Sequence, residues 1–272
     1  MYPPPFEYVR ANSVEEAIRL LSGVEGAKAL AGGQSLIPLL KLRLLSPPLI
    51  VDIGRLRELD YVHYGEWTRI GALAKHHQLE ESPCPFLRAV ARRIGDPQIR
   101  SMGTVGGSVA HADPYGDWPA ALLAADALFV VRGPSGTREV EASRFFKGPY
   151  EADLAQGELV VEIRLKCPPR GAYVKFSRRH NDFALAAVAV AAEVKDGHIL
   201  WARVAALGAA DRSIRLKKTE ALLAGAPLKP DVVAEAGEAA AKEAEPPSDV
   251  RASAEYRRAL IKAGVKRALA AL

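Results

Sequence analysis

The run Gly103-Thr104-Val105-Gly106-Gly107-Ser108-Val109-Ala110-His111-Ala112-Asp113-Pro114-Tyr115-Gly116-Asp117 holds four glycines, a threonine, a serine and two aspartates around only two branched apolar side chains. That composition suits a loop whose backbone approaches something closely. Glycine lacks a Cβ and reaches φ > 0, so successive N–H groups can converge on one anion. The hydroxyls of Thr104 and Ser108 can add to them. Trp118 to Asp126 is apolar and alanine-rich and reads as a helix, and a glycine loop feeding a helix N-terminus suits a phosphate. The competing reading is a tight turn between packed elements. Earlier in the chain, Ala31-Gly32-Gly33-Gln34-Ser35-Leu36 follows the short apolar run Ala27–Leu30, which reads as a strand. It again offers paired glycines, then an amide and a hydroxyl. Two such stretches can hold the two phosphates of one pyrophosphate from both sides. Neither is a Gly-x-x-x-x-Gly-Lys-Ser/Thr loop or a Gly-x-Gly-x-x-Gly turn opening a helix, so a standard dinucleotide fold is not expected.

Composition narrows the classes. The 272 residues allow one large domain or two modest ones. Hydrophobic residues make up 49% and charged residues 25%, an ordinary globular balance with material for a full core. Nothing approaches the ~20 consecutive apolar residues of a membrane span, and Met1-Tyr2-Pro3-Pro4-Pro5-Phe6 carries no apolar signal core; the cytoplasm is expected. Cys84 and Cys167 are too few for an iron–sulfur cluster, which takes about four, and lack the paired spacing of a zinc site. A disulfide between them is unsupported by the sequence, and free thiols are expected. The net charge of +5 is scattered, without a basic run interleaved with aromatics, which favours a solvated mixed-charge surface over a nucleic-acid face.

Taken in order, the chain opens extended through its prolines. Ser13 and Glu16 form a capping box for a helix with Ala17, Ile18 and Leu21 on its apolar face. Leu36–Leu44 reads as a short helix and Leu49–Ile53 as a buried strand closing a small α/β unit. Tyr61–Tyr64 and Trp67–Leu73 read as a hairpin. His76-His77 starts a helix; adjacent histidines face different ways, so a surface pair is expected rather than joint metal ligands. Pro85–Ile94 is a helix. Ala127–Val131 pairs with Arg138–Val140 across Gly133-Pro134-Ser135-Gly136, and Leu159–Leu165 is a further strand. A boundary falls near Cys167-Pro168-Pro169-Arg170-Gly171. Beyond it Tyr173–Ser177, Ala184–Val194 and His198–Leu207 read as neighbouring strands. Ile214–Ala224, Val232–Ala244 and Ala254–Leu272 read as helices, the α+β order.

Ala31 to Leu36, Ile94-Gly95-Asp96-Pro97-Gln98-Ile99-Arg100, and Thr104 to Ser108 continuing through Ala110-His111-Ala112-Asp113-Pro114 to Asp117 together resemble the FAD-binding medium subunit of the molybdenum hydroxylases. That family includes carbon monoxide dehydrogenase, aldehyde oxidoreductases and the flavin domain of xanthine dehydrogenase, and the similarity spans the whole chain. The resemblance implies a two-lobed FAD-binding domain of the vanillyl-alcohol-oxidase-like (PCMH) type over residues 1–168, with lobes of about 1–56 and 57–168. An α+β domain over 169–272, a three-stranded antiparallel sheet plus three helices, follows. It implies one non-covalent FAD. It places the molybdenum cofactor on a large partner and [2Fe–2S] clusters on a small one, in a dimer of heterotrimers that passes electrons to an external acceptor.

By the same resemblance Ala31, Gly32, Gly33, Gln34, Ser35 and Leu36 form one wall of the cofactor site, and Thr104, Gly107 and Ser108 the other. Asp117 matches a cofactor-contacting aspartate suited to ribityl hydroxyls; it also reads as a helix N-cap, and it could do both. Val160 stands where relatives contact the adenine or the ring, and equally reads as a core strand residue. Lys175 matches a lysine that reaches the flavin, where a cation would tune its potential; the other reading is a solvated lysine. A pattern anchored on Arg178-Arg179 would shift that match by one position. The sequence departs from relatives at Gln34 (often His), Ser108 (often Asn) and Ile94 (aromatic in some); the first two keep hydrogen-bonding capacity, and the third packs but cannot stack. No catalytic base, nucleophile or metal-ligand set declares itself, and His111 is the one candidate base near the glycines. An independent flavin oxidoreductase and a non-redox, basic nucleotide-binding module stand as alternatives. The charged segment Lys175–Asp182 is expected to face the cleft between the domains, where Arg178 and Arg179 would act in electron exchange or docking.

Overall fold

A computed structural model describes residues 2–272. The chain builds three units in sequence. The first is a small α/β unit of β1 (Glu7–Arg10), α1 (Val14–Gly23), β2 (Lys28–Leu30), α2 (Leu36–Lys41) and β3 (Leu49–Asp52). Its parallel sheet has the order β1-β3-β2. Ser13 Oγ accepts from Glu16 N–H at 3.1 Å, the expected cap of α1. The return bond goes one residue further back: Glu16 Oε2 accepts from Asn12 N–H at 2.8 Å.

The second unit opens with the hairpin of β4 (Val62–His63) and β5 (Thr68–Gly71). Four short helices follow: α3 (Pro85–Ala91), α4 (Pro97–Met102), α5 (Val105–His111) and α6 (Asp117–Ala124). Then come β6 (Leu128–Gly133), β7 (Gly136–Glu141), α7 (Ala142–Phe145), β8 (Phe146–Gly148), β9 (Glu151–Ala152) and β10 (Leu159–Leu165). The main sheet is antiparallel in the order β4-β5-β10-β6-β7, and β8 and β9 pair separately. Gly133 pairs with Gly136 across the expected turn.

The third unit has a sheet of β11 (Arg170–Ser177), β12 (Ala184–Lys195), β13 (His198–Leu207) and a two-residue edge strand β14 (Ile214–Arg215). The expected three strands are present, and β14 adds a fourth to their edge. Its helices are α8 (Lys217–Leu223), α9 (Pro230–Glu243) and α10 (Ala254–Ala270).

Strand β12 explains how the units join. Side chains alternate across a strand. Ala187, Ala189 and Ala191 enter the core of the second unit, together with Trp118, Leu122 and Leu207. Val188, Val190 and Ala192 enter a separate core with Ile261, Val265 and Leu269 of α10. The C-terminal sheet is therefore covered on both faces, by α6 on one and by α10 on the other. Ion pairs fasten both ends of α6. Asp117 at its start is held from β11, and Arg215 reaches Leu123 O at 3.3 Å and Asp126 at 3.6 Å just past its end.

Three expectations are corrected. Val105–His111 is helical rather than a loop. Thr104 Oγ1 caps it by accepting from Gly107 N–H at 3.1 Å, and a Cβ on Gly106 would lie 2.5 Å from Ala72 Cβ. The glycine there lets a helix press against the end of β5. His76, in a 3-10 turn over His76–Leu79, is buried rather than a surface residue, and Trp118 Nε1 donates to its Nδ1 at 3.0 Å. Burial, assisted by the nearby charges of Lys75 and Arg100, pushes the His76 imidazole down to about 3. Finally, Cys84 and Cys167 are not free thiols; they form a disulfide joining the N-cap of α3 to the segment after β10.

Candidate cofactor site

The two glycine stretches meet. A Cβ on Gly32 would fall 2.2 Å from Met102 O and 2.9 Å from Gly103 Cα. A Cβ on Gly107 would come within 3.8 Å of Ala31 Cβ. Ala31 to Leu36 and the Met102–Ser108 segment thus lie against each other at the junction of the first two units.

The walls differ in what they offer. Among the described residues, no N–H from Gly32 to Leu36 has a backbone or side-chain acceptor within the chain. Gly33 sits at φ +75°, which lets the backbone turn there and is why only glycine fits easily. Five successive amides without partners, at the start of a helix, form an anion cradle. In the second wall all the amides from Gly103 to Ser108 but that of Thr104 are already engaged. Val105 donates to Ala74 O at 2.9 Å, Gly106 to Ala72 O at 3.0 Å and Ser108 to Thr104 O at 3.0 Å. Thr104 is buried and serves as the cap of α5. What this wall keeps for a ligand is the Thr104 amide and the half-buried Ser108 hydroxyl.

Asp117 is not the N-cap of α6. Gly116 holds that position, and the Asp117 carboxylate is turned toward the C-terminal sheet. Tyr173 O–H donates to its Oδ1 at 2.5 Å and Lys175 Nζ to its Oδ2 at 2.9 Å. Burial pushes the Asp117 carboxyl up from its ordinary value, against the opposing pull of the Lys175 charge and the Tyr173 hydroxyl. Burial, with the adjacent Asp117 carboxylate, likewise pushes the Tyr173 hydroxyl up. Lys175 is not solvated: its side chain is 5% exposed, and it also donates to Arg93 O at 2.8 Å. An ammonium has three donors, so one remains. A carboxylate accepts about four hydrogen bonds, so Asp117 also keeps capacity. Beside this cluster is a small cleft between α3 and the β11–β12 turn, lined by Arg92, Arg93, Lys175, Ser177, His180 and Asn181. Val160 is buried opposite Val131 in the core of the second unit.

Tyr173 is the site residue that sequence reasoning passed over. The signal was present, since residues two apart on a strand share a face and Tyr173 precedes Lys175 by two. His76 was equally hidden; a Cβ on Gly103 would meet its Nε2 at 2.8 Å, so the imidazole underlies the second wall. Among the described residues no three metal-ligating side chains converge, and no helix is long and apolar enough to cross a membrane.

A cradle of free amides, an abutting glycine segment and a buried charged cluster shared by α6 and the C-terminal sheet suit a large phosphate-bearing cofactor. Comparison with known proteins identifies the group. Residues 4–167 match the family described as the FAD binding domain in molybdopterin dehydrogenase, and residues 171–272 match the CO dehydrogenase flavoprotein C-terminal domain. The glyceraldehyde dehydrogenase medium chain of Sulfolobus acidocaldarius is 42% identical over 96% of both chains. The nicotine 6-hydroxylase medium subunit of Paenarthrobacter nicotinovorans is 37% identical over 98% of this chain and 96% of its own. Carbon monoxide dehydrogenase from Hydrogenophaga pseudoflava superposes with a TM-score of 0.96 at 40% identity, over 100% of this chain and 98% of that one. The chain belongs to the molybdopterin dehydrogenase FAD-binding family, as an oxidoreductase subunit of the carbon monoxide, aldehyde and xanthine dehydrogenase type.

Proposed function

We propose that this chain is the FAD-carrying electron-transfer subunit of a molybdenum hydroxylase complex. In this reading [2Fe–2S] clusters on a small partner deliver electrons, an external acceptor removes them, and substrate is oxidised at a molybdenum cofactor on a large partner. The complex is a dimer of heterotrimers in the cytoplasm, and the chain divides into a cofactor domain over 1–168 and a second domain over 169–272. The observation that carries the reading is the run of unpartnered amides from Gly32 to Leu36 set against the Gly103–Ser108 segment.

The residues present fit FAD. Gly32, Gly33, Gln34, Ser35 and Leu36 would take the pyrophosphate through their amides, with Ala31 and Gly107 closing the walls and Ser108 adding its hydroxyl. Thr104 would act by fixing the start of α5. Asp117 would accept from ribityl hydroxyls with its spare lone pairs, and Lys175 would turn its remaining donor to the ring edge. Val160 would contribute by packing from the core. Bound FAD supplies a two-electron store that can fill and empty one electron at a time. The test is to purify the chain from cells that also make both partners, then heat-denature and spin it. FAD free in the supernatant, with molybdenum and iron co-purifying, is the expected outcome. Flavin in the pellet, FMN in the supernatant, or a chain purified without metal-bearing partners would contradict it.

A further inference from the structure

The turn after helix α2 presents apolar surface that the fold does not use. Five of the six residues of α2 are apolar, Leu36 to Leu40; Leu40 is buried, Leu36, Ile37 and Leu39 are half-buried and Pro38 is exposed. Immediately beyond, Leu42 and Leu44 are 61% and 66% exposed. Isolated exposed leucines are ordinary. These two are held in place by a defined backbone. Leu44 N–H donates to Leu39 O at 2.9 Å and Arg43 N–H to Leu40 O at 3.0 Å, a Schellman closure. Its left-handed position, φ +58°, is filled by Arg43 where glycine would be unstrained. Arg43 Nε also donates to Tyr2 O at 3.3 Å, tying the 87% exposed Tyr2 to the same turn. A rigid turn therefore displays two leucines and a tyrosine. Beside them, Lys41 and Arg43 make no ion pair among the described residues.

We propose that this turn is a docking surface for another subunit of the complex, one that offers an apolar groove with an acidic rim. The inference rests on the reading of the chain as a subunit. A second copy of this chain fits poorly, because a two-fold contact sets the same patch against itself and would face Lys41 and Arg43 with like charge. The bound cofactor fits poorly too, since its cradle lies at the opposite end of α2, a six-residue helix about 9 Å long. That placement gives docking a consequence: a partner gripping the end of α2 also steadies Ser35 and Leu36 at its start.

The test co-expresses the tagged chain with both partner subunits and compares wild type with Leu42→Ser/Leu44→Ser and with Lys41→Glu/Arg43→Glu. Each double variant should retain the partners at least tenfold less well, at an unchanged melting temperature of the isolated chain. Wild-type retention by the leucine variant overturns the proposal while leaving the subunit reading intact. A wild-type chain that dimerises alone and a leucine variant that does not would assign the surface to a second copy, and also overturn it. A wild-type chain that captures neither partner removes the subunit reading, and the docking surface with it.

Discussion

Asp117 is the residue on which the site turns. Its carboxylate and the Lys175 ammonium are 7% and 5% exposed, so neither can fall back on water. Removing one member of such a pair leaves a buried charge uncompensated, which costs about 3–5 kcal/mol. Asp117→Asn should lower unfolding free energy by ~3 kcal/mol, measured by urea titration at neutral pH. Asp117→Asn combined with Lys175→Met should lose markedly less than the sum of the single changes, because no lone charge remains. Strict additivity would show that the two groups do not act as a pair. This cluster was half legible in the sequence. Asp117 and Lys175 stood out through their motifs. Their mutual contact spans 58 positions and depends on α6 packing onto the sheet that holds β11, which no local pattern states. Tyr173 could have been reached through the period of the strand. His76 could not, since its burial depends on Trp118 arriving from another helix.

At the scale of elements, strands and hairpins were the readable part. β10 and β13 follow apolar runs bounded by turn residues, and their limits are those that the sequence suggests. Helix α5 was not readable, because two glycines argue against a helix by about 1 kcal/mol each. Packing overrides that preference: Gly106 must pass Ala72, and a threonine cap with three further backbone bonds holds the first turn. The Cys84–Cys167 link was also beyond the sequence, since a separation of 83 residues says nothing about proximity. It ties the start of α3, the helix that leads to the Arg93 carbonyl receiving Lys175, to the segment entering the C-terminal sheet. Closing a loop of that length should stabilise the chain by ~4 kcal/mol through the entropy of the unfolded state. Cys84→Ser/Cys167→Ser should therefore unfold at a clearly lower denaturant midpoint than wild type, and added reductant should shift only the wild type.

Over the whole molecule, the two family domains are not two separate bodies. Helix α6 belongs to the first by sequence, yet its apolar face rests on β12 and β13 of the second, and ion pairs hold both its ends. Expressed alone, residues 1–168 would bare the face of α6 that packs on β12 and β13, and residues 169–272 would bare the alanine face of β12. Each half should aggregate or stay molten, while the two co-expressed should recover soluble complex. Cooperative unfolding of an isolated half with native near-ultraviolet dichroism would contradict this. The alanines of β12 have a further consequence, for how such a chain can change over generations. Ala187, Ala189 and Ala191 are fully buried beneath α6, so enlarging any of them drives the helix off the sheet, and little remains to trim away. Change at this interface must therefore enter from the α6 side, while Val188 and Val190 on the opposite face vary with α10. Descendants of this chain would keep a strip of small residues along β12 while the helices around it vary.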